Sequence, residues 1–261
     1  MELEFAEIYE HSLVGPLFAP WVEPLLEDVK LRAGERVLDI ACGTGIVARL
    51  ARERVGKSGL VTGVDANPRM LAVARRVAPA IDWRQGDAGA LPLGDEEQFD
   101  VVLCQQGFQF FPDLAAAARQ AHRALAKGGR IGASTWRADE EFPFLRELRR
   151  IAERHLGPIA DRRHGLGEAG PLEDALRTAG FHDVRSKRLC RRIRFGAASE
   201  FVRLNAMALV GMSTTSGSLG DEERERMVAA IERDSAGLLR HHTDEAGLAY
   251  ELCTNVVLAT A

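Results

Sequence analysis

Three aspartates, Asp39, Asp65 and Asp87, each stand where a short β-prone run ends. Carboxylates in such places accept hydrogen bonds from hydroxyl and amine groups and attract positive charge. After the first of them comes Cys42-Gly43-Thr44-Gly45, whose glycines let a turn take unusual backbone angles. Such a turn brings bare N–H groups against a ligand at the mouth of the following helix. Gly43-x-Gly45-x-x-Ala48 formally satisfies a dinucleotide fingerprint, and Asp65 lies twenty positions after Gly45, where a ribose-binding acid belongs. Asp39 separates the two readings. A pyrophosphate pressed against that carboxylate with little water between them costs several kcal/mol, whereas a cationic ligand gains.

The elements that must position these acids alternate along the chain. Apolar periodicity predicts strands over 36–40, 60–64, 81–85, 99–104 and 129–135, with helices over 45–55, 68–77 and 113–125. Asn67-Pro68 supplies a capping residue and then a proline at the first helical position. Alternation of this kind gives a parallel sheet with helices on both faces, and open sheets of that type bind ligands at the carboxyl ends of their strands. The three acids would ring one crevice there. A ligand with an amine, a ribose, an adenine and a positive centre suits them, which describes S-adenosylmethionine.

The strings Val37–Gly45, Val61–Met70, Gly86–Ala88 with Leu91-Pro92-Leu93, Phe99–Cys104 and Leu125–Arg130 resemble, in order, the motifs of the class I S-adenosylmethionine-dependent methyltransferases. The likeness is to the branch holding ubiquinone and menaquinone C-methyltransferases and many natural-product enzymes, and it is strong over residues 33–137. It implies an α/β, Rossmann-like, seven-stranded and mostly parallel sheet, with the last strand antiparallel and helices inserted between the last two strands. The expected division is a helical lid over 1–32, a cofactor-binding core over 33–195, a substrate-chamber insertion over 196–245 and a closing strand over 246–261. It also implies that Asp39, with the backbone of Ala41, Cys42, Gly43 and Gly45, holds the methionyl end of the cofactor. Asp65 takes the ribose hydroxyls, Ala66 and Met70 sandwich the adenine, and Gly86, Asp87 and Ala88 read its edge. Gln105, at the end of the fourth strand, joins this set. The implied activity is methyl transfer to a small, apolar or aromatic acceptor. The alternatives are a non-methylating cofactor-binding member of the fold and, behind it, an NAD-dependent oxidoreductase.

Tyr9, Phe108, Phe111 and Trp136, together with residues 201–215, are expected to line the acceptor pocket. Relatives carry histidines near 109 and 110, where this chain has Gln109 and Phe110; an amide can position a substrate but takes no proton at neutral pH. The candidates for a base are therefore His11, His164, His241 and His242, with Gln109 as a positioning group. Residues 4–30 read as two short amphipathic helices broken around Gly15-Pro16 and Pro20. Beyond the core, 141–180 is helical, Val184 to Phe195 is a strand or hairpin, Ser199 caps a helix over 200–212, Asp221 starts another over 222–240, and 248–259 is a last strand.

With 261 residues the chain can bury a full core, and its net charge of −4 argues against nucleic acid as partner. The basic run Arg185–Arg194 reads as the solvated face of an edge strand, with acidic helices such as 221–225 near enough to neutralise it. The four cysteines are scattered singly, so no metal site is expected and each reads as a reduced, buried thiol. The acidic start lacks the pattern of a signal peptide and no apolar run is long enough to span a membrane, so the expected compartment is the cytoplasm. The acceptor, the atom alkylated and the choice between monomer and homodimer stay open.

Overall fold

In the computed structural model, which describes residues 2–213 and 219–261, β1 (Arg36–Ile40) is the centre of the sheet. Four of its five residues are buried, and it pairs in parallel with β2 (Leu60–Asp65) on one side and β4 (Phe99–Gln105) on the other. β3 (Asp82–Gln85) extends the β2 side and β5 (Leu125–Trp136) the β4 side, both in parallel. β8 (Gly247–Thr260) then lies antiparallel between β5 and β6 (His182–Phe195). The order is β3-β2-β1-β4-β5-β8-β6. A two-residue strand, β7 (Thr243–Asp244), folds back on β8 and makes eight strands among the described residues, where the sequence suggests seven.

Successive strand residues face opposite sides, and the core divides accordingly. Val37, Val101 and Leu103 meet α2 (Ala19–Asp28), α3 (Ile46–Val55) and α4 (Pro68–Val77) through Leu25, Ala51 and Leu71. Leu38, Val102 and Cys104 meet α5 (Leu114–Arg123) and α7 (Gly170–Thr178) through Ala118, Ala121 and Leu176. Each fully buried leucine contributes about 1.5–3 kcal/mol. Asn67 caps α4 by accepting from Arg69 N–H at 3.0 Å, as the Asn-Pro signal predicts. α6 (Pro143–Leu156) packs against α8 (Ala198–Met212) and α9 (Asp221–Leu239), the two helices that leave the sheet after β6 and return to it at β8.

Several sequence expectations need correction. α1 (Glu2–Ile8) runs into α2 without a break, because residues Tyr9–Phe18 form wide π-helical turns around Pro16. A proline has no N–H and clashes with the carbonyl of an ordinary preceding turn; widening the helix removes that clash. β6 is one continuous strand, and α8 begins at Ala198 after Ala197, so Ser199 is not its cap. Cys190 and Cys253 are directly opposed across β6 and β8, 4.1 Å apart at Cα, and form a disulfide; Cys42 and Cys104 are the free, buried thiols. Sixty-three residues separate the pair, so only strand register reveals the partnership. Glu251 lies beside them, but with both sulfurs joined to each other this grouping offers no metal a thiolate.

β6 is the edge strand that its charges suggest, with Arg185, Arg191 and Arg192 exposed. Its counter-ions differ from those expected: Lys187 pairs with Asp28, Arg188 with Glu141 and Arg194 with Asp244, while Glu225 turns to Arg203. Among the described residues no helix is long and apolar enough to cross a membrane.

Candidate active site

The carboxyl ends of β1, β2 and β3 carry the three acids. Strand register pairs Asp39 with Gly63 and Asp65 with Gln85, so each acid is stepped two residues beyond the level of the one before it. Asp39 lies under the turn, 1% exposed, and accepts from Ala48 N–H in the first turn of α3 at 3.0 Å. Asp65 binds the turn from the next strand: one oxygen accepts from Gly43 N–H and the other from Asn67 N–H, both at 2.8 Å. A carboxylate has about four lone-pair sites, so Asp65 keeps acceptor capacity. Asp87 is exposed and closes its own turn by accepting from Gly89 N–H at 2.7 Å. Ala88 is buried behind it, Ala66 is exposed and Met70 half-buried on the rim of α4.

The backbone here is held in unusual conformations. Gly43 and Gly45 have φ of +56° and +92°, and Ala41 and Gln106, which carry side chains, sit at +56° and +58°. A Cβ at Gly107 would lie 2.7 Å from that of Ala41, so the ends of β1 and β4 approach closely. Strain of this kind is kept where the surroundings over-determine it, and it gathers at ligand sites.

Burial, and for Asp39 also the nearby Asp65, pushes both carboxyls above the usual carboxylate range. No cationic side chain offsets this among the described residues. Three buried side-chain oxygens in the same region also lack a partner among those residues: Thr44 Oγ1 in the turn, Gln105 Oε1 at the end of β4, and Gln109 Oε1. Uncompensated carboxylates beside orphaned acceptors fit a ligand rich in donors and positive charge, and fit a phosphate poorly. S-adenosylmethionine, with its ammonium, its sulfonium, its ribose hydroxyls and its adenine amine, is a ligand of that description.

Beyond Ala41 and Gln105 a cavity of about 360 Å³ opens between the first helices, the sheet edge and α8. Tyr9, Phe18, Trp136, Phe201 and Tyr250 give it aromatic walls, and Gln106, Arg163, His164 and Asn205 supply the polar positions. Gln105 Nε2 donates to Phe18 O at 3.0 Å, which fastens the helical cover to the end of β4. The cover is also held by Glu10–Arg49 and Glu7–Arg76 pairs to α3 and α4. Burial, with Asp65 and Glu10 nearby, pushes the Tyr9 hydroxyl far up; burial does the same to Tyr250.

Of the residues the sequence proposes for the acceptor, Tyr9 and Trp136 face this cavity, as do Phe201, Leu204, Ala208 and Met212 on α8. Residues 214 and 215 of that stretch lie outside the described residues. Phe108 and Phe111 do not line it: Phe108 is 1% exposed in the core, and the two rings pack edge to face. The post-β4 turn instead presents Phe110, whose side chain is 41% exposed. Gln109 is buried and donates to Gln106 Oε1 at 3.3 Å. His11 is exposed, away from the cavity walls. His241 and His242 border a different hollow, with Phe144 and Arg192, and His242 packs on Phe144. Of the histidines only His164 reaches the chamber among the described residues, beside Arg163 and Asn205, which the sequence did not single out.

Set beside known proteins, residues 37–129 match a methyltransferase domain. The nocamycin O-methyltransferase of Saccharothrix syringae is 33% identical over 253 residues, covering 86% of this chain and 85% of that protein. The ubiquinone biosynthesis O-methyltransferase of Pseudomonas aeruginosa is 37% identical over 216 residues, covering 81% and 79%. The solved phosphoethanolamine N-methyltransferase 2 of Haemonchus contortus, in complex with S-adenosyl-L-methionine, has a likeness of fold: a TM-score of 0.58 at 18% identity over 98% of this chain and 55% of that one.

Proposed function

Because the chain belongs to the S-adenosylmethionine-dependent methyltransferases, we propose that it methylates a small, apolar or aromatic molecule by in-line transfer. The observation that carries this reading is the chamber itself: an aromatic-walled cavity of about 360 Å³ that opens at Ala41 and Gln105, the strand ends where the cofactor's sulfur belongs. The names of the two similar O-methyltransferases favour oxygen as the accepting atom.

In this reading Asp65 takes the ribose hydroxyls on the lone pairs left beside its two backbone donors. Asp87 and the Ala88 N–H read the adenine edge next to Gly86, with Ala66 and Met70 on the ring faces. The Ala41 to Gly45 turn, Gln105 Oε1 and the charge of Asp39 beneath it hold the amino-acid end. When bound, S-adenosylmethionine supplies a methyl group on a positively charged sulfur, which leaves as a neutral thioether. What remains for the protein is alignment and exclusion of water, and alignment alone contributes about 7–11 kcal/mol in well-oriented reactions. The Gln105–Phe18 bond and the Tyr9, Phe18 and Trp136 rings do this work.

The test is incubation of the purified protein with methyl-deuterated S-adenosylmethionine and a panel of phenols, naphthols and hydroxyquinones, followed by mass spectrometry. The expected result is an acceptor carrying one labelled methyl and an equal amount of the demethylated cofactor. A panel returned unlabelled, with the cofactor bound but unconsumed, contradicts the transferase reading.

A further inference from the structure

Of the loop after β4, Gln106 and Phe110 reach the cavity and Gln109 is buried behind them, and none of these side chains can take a proton at neutral pH. A second turn supplies what that loop lacks. Residues Arg162–His164 form a short 3₁₀ turn packed against the Phe108–Phe110 turn, and a Cβ built on the next residue, Gly165, would lie 3.8 Å from Gln109 O. His164 Nδ1 is 2.6 Å from the carbonyl oxygen of Arg137. A carbonyl only accepts, so Nδ1 carries the hydrogen and Nε2 keeps a free lone pair. The ring borders the same cavity as Ala41 and Gln105.

We propose that His164 is the general base of this site and that the acceptor is a weakly acidic hydroxyl, a phenol or enol on an apolar ring. The proposal rests on the methyltransferase reading above. The hydroxyl proton passes to Nε2 of His164 as the oxygen bonds to the methyl carbon. The carbon–sulfur bond breaks with its electron pair staying on sulfur, and the imidazolium later returns its proton to water. Charge is conserved: one sulfonium becomes one released proton.

The surroundings support a neutral imidazole. Burial lowers the basicity of His164, and so does the neighbouring Arg163. The acids that face it are Asp161, Asp139 and Glu140, and the first two are already engaged: Asp161 by Arg163 at 2.6 Å and Asp139 by Arg149 at 2.7 Å. Arg137 lends only its carbonyl to the ring, its guanidinium turning to Glu141. Three of the five Arg163 donors bind Asp161 and Asn205, which fixes its positive charge in the wall against which a developing oxyanion would sit. The other titratable groups of the wall are Tyr9 and Tyr250, both held protonated. Among the described residues, His164 is therefore the wall group able to accept a proton near pH 7.

The experiment compares wild type with His164→Gln on two probes, 1-naphthol, which is protonated at neutral pH, and 4-nitro-1-naphthol, which is ionised there. Calorimetry with the demethylated cofactor checks that the variant still binds. The expected result is a loss of about 100-fold or more on 1-naphthol, the scale of general-base catalysis, and less than about 3-fold on the nitro compound, with cofactor affinity unchanged. The wild-type rate on 1-naphthol should rise with pH through a limb below 6.5, the ordinary histidine value, and NMR titration of the His164 ring should give the same midpoint. Equal losses on both probes, or none, overturn the base assignment. Cofactor binding without transfer to either probe overturns the hydroxyl class. A wild-type protein that binds neither form of the cofactor removes the reading beneath both.

Discussion

Asp39 is a group whose folded environment opposes its own charge. Its carboxyl is pushed up by burial and by Asp65, so in the free protein the folded state holds its proton more tightly than the unfolded chain does. The resulting cost is fully present above the raised value, shrinks as pH falls below it and is gone below the ordinary carboxylate value. Asp39→Asn keeps an oxygen for the Ala48 N–H and removes the charge. It should therefore melt at or above the wild-type temperature at pH 7.5, with the gap closing as pH is lowered, while binding S-adenosylmethionine at least ~10-fold more weakly. A variant that melts lower and binds normally would reverse both halves of the assignment. Gly45 makes the opposite case, a residue that cannot be replaced. Its φ is +92° and a Cβ would meet Trp83 at 2.3 Å, so Gly45→Ala should cost about 2–4 kcal/mol in denaturant unfolding. The acids and glycines were readable in the sequence because their chemistry and spacing are local. Arg163 and the reach of His164 were not, because a three-residue turn far along the chain carries them to the cavity.

At the scale of elements, four of the five core strands were legible to within a residue, whereas β5 begins at Leu125, four residues before the sequence places it. Their apolar runs are bounded by turn residues, and β1, β2 and β4 are buried on both faces, while β3 is buried only at Trp83. The first helices were legible as amphipathic but not as continuous, since nothing in Gly15-Pro16 distinguishes a break from a π-helical widening. The antiparallel direction of the closing strand followed from the family resemblance, whereas its place between β5 and β6 and the partnership of Cys190 with Cys253 needed the register itself. That bond closes a loop containing both α9 and α8, the helix that walls the chamber and ties into it through the Arg163–Asn205 bond. Closing a loop of 63 residues restricts the unfolded chain, and such bonds contribute about 2–4 kcal/mol. Cys190→Ser should lower unfolding free energy by that amount, and dithiothreitol should bring the wild type down to the variant. Unchanged stability in both would mean that the bond does not form in solution.

For the molecule as a whole, the same sheet edge serves two tasks from two sides. Strands β1 to β3 carry three acids at their carboxyl ends, which the proposed function assigns to a positively charged nucleoside, and the ends of β1 and β4 open into an aromatic chamber roofed by the first helices and α8. The helical cover is tied to α3, α4 and β4 at once, and in the proposed function it closes over cofactor and acceptor together. The measurement that tests this most directly is calorimetric titration of S-adenosylmethionine into the wild-type chain and into Asp65→Ala. One saturable site is expected in the wild type, weakened about 10- to 100-fold in the variant by loss of hydrogen bonds to a charged acceptor. No heat from S-adenosylmethionine or its demethylated product, or equal affinity in the two proteins, would contradict it.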